Sequence, residues 1–317
     1  MPSSRTPVFG PQATTRRRRL TPDEVRERVL RTACELTTEA GGLTVSPATV
    51  NFELIVQRAD VPRSAVYRIW ASKDDFMIEF LRYFVRENKS ADEKWWGGTA
   101  AFDPQTIEVV RAVVYQRSAE LDTVSGRRAV LREAVRQGAK QNFAAVLTSP
   151  HWRTYVALNA TVNSIPDPDT KAELHATLCE ADKSYICKMV AFYRGMGSVL
   201  GIRPPPSLRY EHFAAAGAAI VEGLVLRHVL NPELVVEDLT VPGPDGEPES
   251  WCLAALGFLG LTETLLEEDP TFPDELPADP DARIHWLDTR ITEALTFTEP
   301  TPAKLIPIPE LEDLVDM

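Results

Sequence analysis

The chain has 317 residues, 44% of them hydrophobic and 25% charged, proportions that argue against a small disulfide-stapled scaffold, wholesale disorder and an integral membrane protein. Its 34 basic and 46 acidic residues give a net charge of -12, which argues against a protein that coats nucleic acid with its whole surface. The charge is uneven, however: residues 1–90 carry 15 basic and 11 acidic side chains, whereas residues 91–317 carry 19 and 35.

Residues 1–20 hold Pro, Ser, Thr and Gly around the tract Arg16, Arg17, Arg18 and Arg19. With no apolar periodicity to fold around, they read as a flexible basic arm. Thr21-Pro22-Asp23-Glu24 has the grammar of a capping box, with proline in the first turn where its missing N–H costs nothing. Val25, Val29, Ala33, Leu36 and Ala40 follow at helical spacing, and Gly41-Gly42 supplies the stop. A loop through Ser46-Pro47 leads to Asn51, a cap for a short helix with Phe52, Ile55, Val56 and Ala59 on one face. Asp60-Val61-Pro62 breaks that helix, and Pro62 opens another over residues 62–70, with Val66 and Trp70 facing inward. Ser72-Lys73-Asp74-Asp75 is a second capping box, starting a longer helix through Phe76, Phe80, Tyr83 and Phe84.

Beyond Gly97-Gly98 the pattern stays helical to about residue 268, with breaks near Pro150, residues 165–168, Pro204-Pro205-Pro206 and Asn231-Pro232, and with no alternating strand. The small-residue run 214–219 admits another helix at close range, and residues 251–266 are apolar nearly all round. One subunit is not expected to cover both surfaces, so the sequence predicts a homodimer. After residue 240 come 11 of the 25 prolines, with 18 acids against 3 bases. That stretch is expected to be irregular apart from the apolar helix and residues 282–297. The expectation is an all-α chain in four parts: a basic arm over 1–20, a three-helix domain over 21–88, a larger helical domain over 100–268 and an acidic, proline-rich tail over 269–317.

Three short helices with a tight break before the third have the geometry of a helix-turn-helix, in which one helix props a second against the DNA major groove. With Val66 and Trp70 turned to the core, a step of about 100° per residue puts Ser64 and Arg68 on the outward side, while Arg63 projects from the first turn. Arginine makes bidentate contacts to guanine, serine reaches base edges or phosphates, and Lys73 at the next helix start suits a phosphate. Arg16, Arg17, Arg18 and Arg19 are expected to contact DNA from the arm beside the motif, the rival reading being a solvated tail. No acid lies between Arg63 and Arg68 in the sequence, which favours DNA over a protein partner.

The stretch from Leu54-Ile55-Val56-Gln57-Arg58-Ala59-Asp60-Val61-Pro62 through Arg63-Ser64-Ala65-Val66-Tyr67-Arg68-Ile69-Trp70 to Ser72-Lys73-Asp74-Asp75-Phe76 resembles the helix-turn-helix of the tetracycline repressor (TetR) family of bacterial transcription regulators. The resemblance covers roughly residues 21–88 and adds Ala65 and Tyr67 to the DNA-contacting set. It implies a second, all-helical domain that binds a small effector, and pairing of the last two long helices, here 206–230 and 248–268, with those of a second subunit. This chain departs from the family at Asp60, where glycine is usual in the turn, at Pro62 for a serine cap, and at Trp70 for phenylalanine. Aspartate tolerates the left-handed turn better than most residues, whereas loss of the serine cap removes one phosphate contact.

Trp152, Tyr155, Phe192, Tyr193 and Met196 are the aromatic and thioether residues expected to line an apolar effector pocket. His175 and Cys179 have a zinc-ligand spacing, but no second pair converges on them, so they are read as core residues and no metal or cofactor is expected. Cys34, Cys179, Cys187 and Cys252 form no short pair, which suits reduced thiols in the cytoplasm, and Cys187 and Cys252 read as small buried hydrophobes. The basic start has no apolar segment behind it, and the apolar runs 213–221 and 251–261 fall short of the ~20 residues of a membrane span. No nucleophile with a base, phosphate loop or dinucleotide fingerprint is present, and no enzymatic activity is expected. The expected function is a ligand-responsive repressor that binds a double-stranded DNA operator as a cytoplasmic homodimer, with no membrane partner, and leaves it when a small, apolar effector binds. The rivals are a helical protein–protein interaction module and a small-molecule enzyme with an appended DNA-binding domain.

Overall fold

The structure, a computed structural model, describes residues 20–43, 51–90, 102–244, 246–273 and 275–295. The tract Arg16, Arg17, Arg18 and Arg19, the loop at Ser46-Pro47 and the end of the chain beyond 295 lie outside the described residues. The protein is all-α and divides into two compact units, one ending at Arg86 and one beginning at Glu87.

In the first unit, α1 (Pro22–Glu39) starts at the expected capping box. Thr21 Oγ1 accepts from the Glu24 N–H at 3.2 Å, and the Glu24 carboxylate accepts from the Thr21 N–H at 2.8 Å. Gly41 and Gly42 follow its end with φ of 80° and 107°, open to glycine and strained for other residues. Val25, Val29 and Ala33 are buried, but Ala40 is exposed and the inward stripe closes on Thr37 instead. Asn51 caps α2 (Phe52–Arg58) by accepting from the Leu54 N–H at 3.1 Å. A tight turn then leads into α3 (Arg63–Ile69), with Pro62 as its cap residue. In that turn Asp60 takes φ 52°, the only positive value outside glycine among the described residues. The second capping box also forms, with reciprocal bonds of 3.0 and 3.1 Å between Ser72 and Asp75 at the start of α4 (Lys73–Ser90).

Aromatic rings fill this first core. Trp70, Phe76, Phe80 and Phe84 are each 2% exposed or less, burial that contributes roughly 1.5–3 kcal/mol per side chain. The Phe76 ring lies 4.7 Å from Phe52 and 5.2 Å from Trp70. An indole N–H is costly to bury unpaired, and Trp70 Nε1 donates to Glu79 at 2.7 Å while Arg26 approaches the same carboxylate at 3.0 Å.

The second unit contains α5 (Pro104–Gln116), a 3-10 turn at Ser118–Asp122, α6 (Val124–Thr148), α7 (Pro150–Asn163), α8 (Pro168–Leu200), α9 (Tyr210–Leu230), α10 (Pro232–Val236), α11 (Leu253–Leu265) and α12 (Pro280–Leu295). The proline-marked breaks in the sequence coincide with helix boundaries, because proline is accepted in a first turn and refused in a helix interior. Glycines permit the closest helix approaches. A Cβ on Gly138 would lie 2.5 Å from Val110 Cγ2, so α5 and α6 meet closely there. A Cβ on Gly217 of α9 would lie 2.6 Å from the Phe258 ring of α11.

Three expectations are corrected. Strands do occur: β1 (Ile202–Arg203), β2 (Leu239–Pro242), β3 (Pro248–Trp251) and β4 (Glu267–Glu268) form two antiparallel pairs, β1 with β4 and β2 with β3. The hairpin of β2 and β3 delivers Trp251, 1% exposed, onto Val135 and Ala139 of α6. Second, part of the expected tail is core. α12 buries Leu287 and Ile291 among Val110, Val114, Val199 and Leu200, and the nearly buried Arg283 donates to both Asp122 oxygens at 2.8 and 3.2 Å. Third, α9 is long and apolar enough, by length and composition, to cross a membrane. Uncharged runs conceal this because Glu222 and Arg227 interrupt the run without lowering the average enough. In this fold Phe213, Ala214, Gly217, Val221 and Val225 of α9 are buried, and its neighbours include α6, α8 and α11.

Candidate nucleic-acid interface and ligand cavity

The seven residues of α3 divide cleanly. Val66 is fully buried and Trp70, just past the helix end, is 2% exposed, while Arg63, Ser64, Tyr67 and Arg68 are exposed and Ala65 is half-buried at the border. Lys73 is exposed at the start of α4. Arg68 forms no ion pair among the described residues, which leaves its five donors available.

An acid does share this face, contrary to the sequence expectation. Glu53 in the first turn of α2 is ion-paired with Arg63 and accepts a hydrogen bond from the Tyr67 hydroxyl at 3.3 Å. The left-handed Asp60 folds α3 back across α2, which joins residues ten and fourteen apart that no one-helix spacing rule connects. Both partners of the Arg63–Glu53 pair are more than half exposed. Such a pair contributes at most about 1 kcal/mol and exchanges readily for a phosphate.

The second unit holds a partly open cavity of about 90 Å³ between α5, α6, α8, α9 and α11. Val110, Ala134, Gly138 and Leu200 line it, as do the aromatic rings of Phe102, Phe192, Phe213 and Phe258. Tyr193 sits among the rings, 4.9 Å from Phe213, 5.7 Å from Phe102 and 5.9 Å from Phe258. Burial raises its phenol pKa well above the ordinary value and keeps the ring neutral. No Asp, Glu, Lys, Arg or His lines the cavity, and its polar side chains are Thr106, Asn142, Tyr193, Tyr210 and Thr262.

Of the five ligand residues expected from sequence, Phe192, Tyr193 and Met196 line this cavity and Trp152 and Tyr155 do not. Trp152 packs beside Phe143 and Val225, and Tyr155 donates to Asp182 at 3.3 Å. Asp182 precedes Tyr193 by eleven residues on α8, about 16 Å along the axis. Near that contact, burial and Asp182 together raise the Glu222 pKa, and burial raises Tyr155 and Tyr185 to about 12. Sequence reading missed Glu53, Thr106, Asn142, Phe213 and Phe258. Of these, Phe213 and Phe258 carried a signal, because both lie in segments too apolar for a one-sided helix.

The His175 and Cys179 side chains do meet, Sγ lying 3.6 Å from Nδ1, but His175 is exposed and Cys179 half-buried, so neither is the core residue expected. Cys187 is likewise exposed and Cys252 only half-buried. Among the described residues no three His, Cys, Asp or Glu side chains converge as metal ligands. Comparison with protein-family models, with curated proteins and with solved structures finds no match.

Proposed function

We propose that the chain is a sequence-specific, DNA-binding transcriptional regulator of the TetR type, acting as a homodimer and released from its operator by a small apolar molecule. The observation that carries this reading is α3: a seven-residue helix held from behind by Val66 and Trp70, with Arg63, Ser64, Tyr67 and Arg68 all exposed on its other side. Arginine, serine and tyrosine are side chains that read base edges and grip phosphates, and a short helix propped by another fits the major groove.

A second face supports pairing of two copies. Ala215, Ala219, Gly223, Leu226 and Leu230 recur along one side of α9 at three- and four-residue steps and are all exposed, Leu226 by 50% and Leu230 by 81%. Gly257, Gly260 and Thr264 make an exposed stripe of small residues on α11. Small residues let helix backbones approach, and an apolar face this open is what a partner covers. Two recognition helices then address successive major grooves, about 34 Å apart. An effector in the cavity releases DNA by preferring a dimer geometry in which that spacing is lost.

Selection from a random duplex library by the full-length protein at physiological salt tests the proposal. Enrichment of one two-fold-symmetric sequence supports it, and recovery of an unenriched pool contradicts it.

A further inference from the structure

The polar groups of the cavity narrow the effector's chemistry, an inference that rests on the ligand-responsive reading above. Thr37, Thr154 and Thr262, buried in helix interiors, satisfy their hydroxyls on the preceding turn, Thr262 by donating to the Phe258 carbonyl at 2.6 Å. Thr106, 3% exposed, has no such bond, and its hydroxyl is unpaired among the described residues. Thr106 lies in the first turn of α5, where no helical turn precedes it to offer a carbonyl, and unlike Thr170 at the same place in α8 it makes no bond to its capping aspartate, Asp103, which accepts from the Gln105 N–H. An unpaired buried hydroxyl is costly unless something else meets it.

Asn142 and Tyr193 are half-buried rather than buried. Neither side chain makes a hydrogen bond among the described residues, yet both line the same cavity. The α5–α6 register brings Thr106 and Asn142 together. Val110 abuts Gly138, and one turn further along the antiparallel pair Thr106 faces Asn142, with Gln105 and Gln141 beside them hydrogen-bonded at 3.1 Å. Phe102, just before α5, contacts the Tyr193 ring, and the Tyr193 hydroxyl lies beside Gly217 of α9, 3.5 Å from where a Cβ would stand there. Ala134, Met196 and Leu200 are among the cavity's apolar lining.

We propose that the cavity takes an uncharged, compact molecule with an apolar body no larger than a single ring and one carbonyl or hydroxyl oxygen, which accepts hydrogen bonds from Asn142, Tyr193 and Thr106. Charge is excluded because no countercharge lines the cavity and an unpaired buried ion is prohibitively costly. Size follows from volume. An apolar cavity of about 150 Å³ holds benzene, so this partly open cavity of about 90 Å³ takes a single ring with part of it in the mouth or with Met196 repacked. Methionine's unbranched thioether adapts readily to such a change.

The test titrates full-length protein with cyclohexanone, methylcyclohexane and cyclohexanecarboxylate at neutral pH, following binding by calorimetry, for the wild type and for Asn142→Leu, Tyr193→Phe and Thr106→Val. Each variant's thermal unfolding is recorded to confirm its fold, and Tyr193→Phe and Thr106→Val preserve shape. The expected result is that cyclohexanone binds the wild type and loses about five-fold in affinity in at least the Asn142 and Tyr193 variants, the effect of one neutral hydrogen bond. Methylcyclohexane affinity is expected to be unchanged and the carboxylate not to bind. Equal effects of the substitutions on ketone and hydrocarbon, or carboxylate binding as tight as the ketone's, overturn this inference and leave the ligand-responsive reading standing. Failure of every probe to bind the wild type overturns both.

Discussion

The Tyr67 hydroxyl donates to Glu53 at 3.3 Å, and the same carboxylate holds Arg63. Glu53 therefore presents a negative charge on the proposed DNA-reading face and ties down two of the groups that would touch DNA. We expect Glu53→Gln to bind random duplex more tightly than the wild type, since one repulsive charge goes and Arg63 is released to phosphate. Its log-affinity against log-salt slope steepens by about 0.9 for each additional phosphate that the variant neutralises. Discrimination between operator and random sequence should fall. Anisotropy titrations at several salt concentrations measure both quantities.

Ala219 is exposed midway along the small-residue stripe of α9. Ala219→Arg puts a long charged side chain where the proposed partner helix approaches. Sedimentation should then show a monomer in place of a dimer, and operator affinity should fall by about 10²-fold or more through lost bivalency. Thermal unfolding of the individual subunit is expected to remain cooperative because Ala219 takes no part in the subunit core.

Gly138 has no room for a side chain: a Cβ there would lie 2.5 Å from Val110 Cγ2. Gly138→Val forces α5 and α6 apart, an overpacking that costs about 1–3 kcal/mol. A lower melting temperature, with the cavity between these helices losing its ligand affinity, is the expected result.

Glu222 is held protonated more readily than an ordinary glutamate, first by burial and then by Asp182. A carboxyl whose pKa is raised on folding stabilises the fold below its unfolded value and loses that contribution as pH rises through the folded value. At neutral pH Glu222 therefore opposes folding. Glu222→Gln should raise the melting temperature at pH 7, and the difference from wild type should shrink as the pH falls below the ordinary glutamate value.

Much of the first unit was legible because its signals are local. Thr21 with Glu24, Asn51 with Leu54, and Ser72 with Asp75 each complete a hydrogen bond within three residues, so sequence spacing suffices to see them. The outward set on α3 followed from the helical period alone once Val66 and Trp70 were turned inward. Glu53 was invisible for the opposite reason, since its contacts depend on how the Asp60 turn folds one helix over another. The hairpin did leave a trace in Pro244-Asp245-Gly246, a turn signal masked by the surrounding prolines and acids. The cavity was half legible: aromatic residues on α8 marked its wall, but the partners from α5 and α6 are recognisable only from the register set at Gly138.

The reading face of α3 is the centre of the account, and Arg68 is its plainest element, exposed and without an ion pair among the described residues. The direct measurement is the affinity of wild type and Arg68→Ala for the selected operator and for a scrambled duplex of equal length at matched salt. Loss of about 1–3 kcal/mol per half-site on the operator, with a much smaller loss on the scrambled duplex, is the result predicted for base readout. Equal losses on the two duplexes would contradict it, because an arginine that only neutralises phosphate cannot tell one sequence from another.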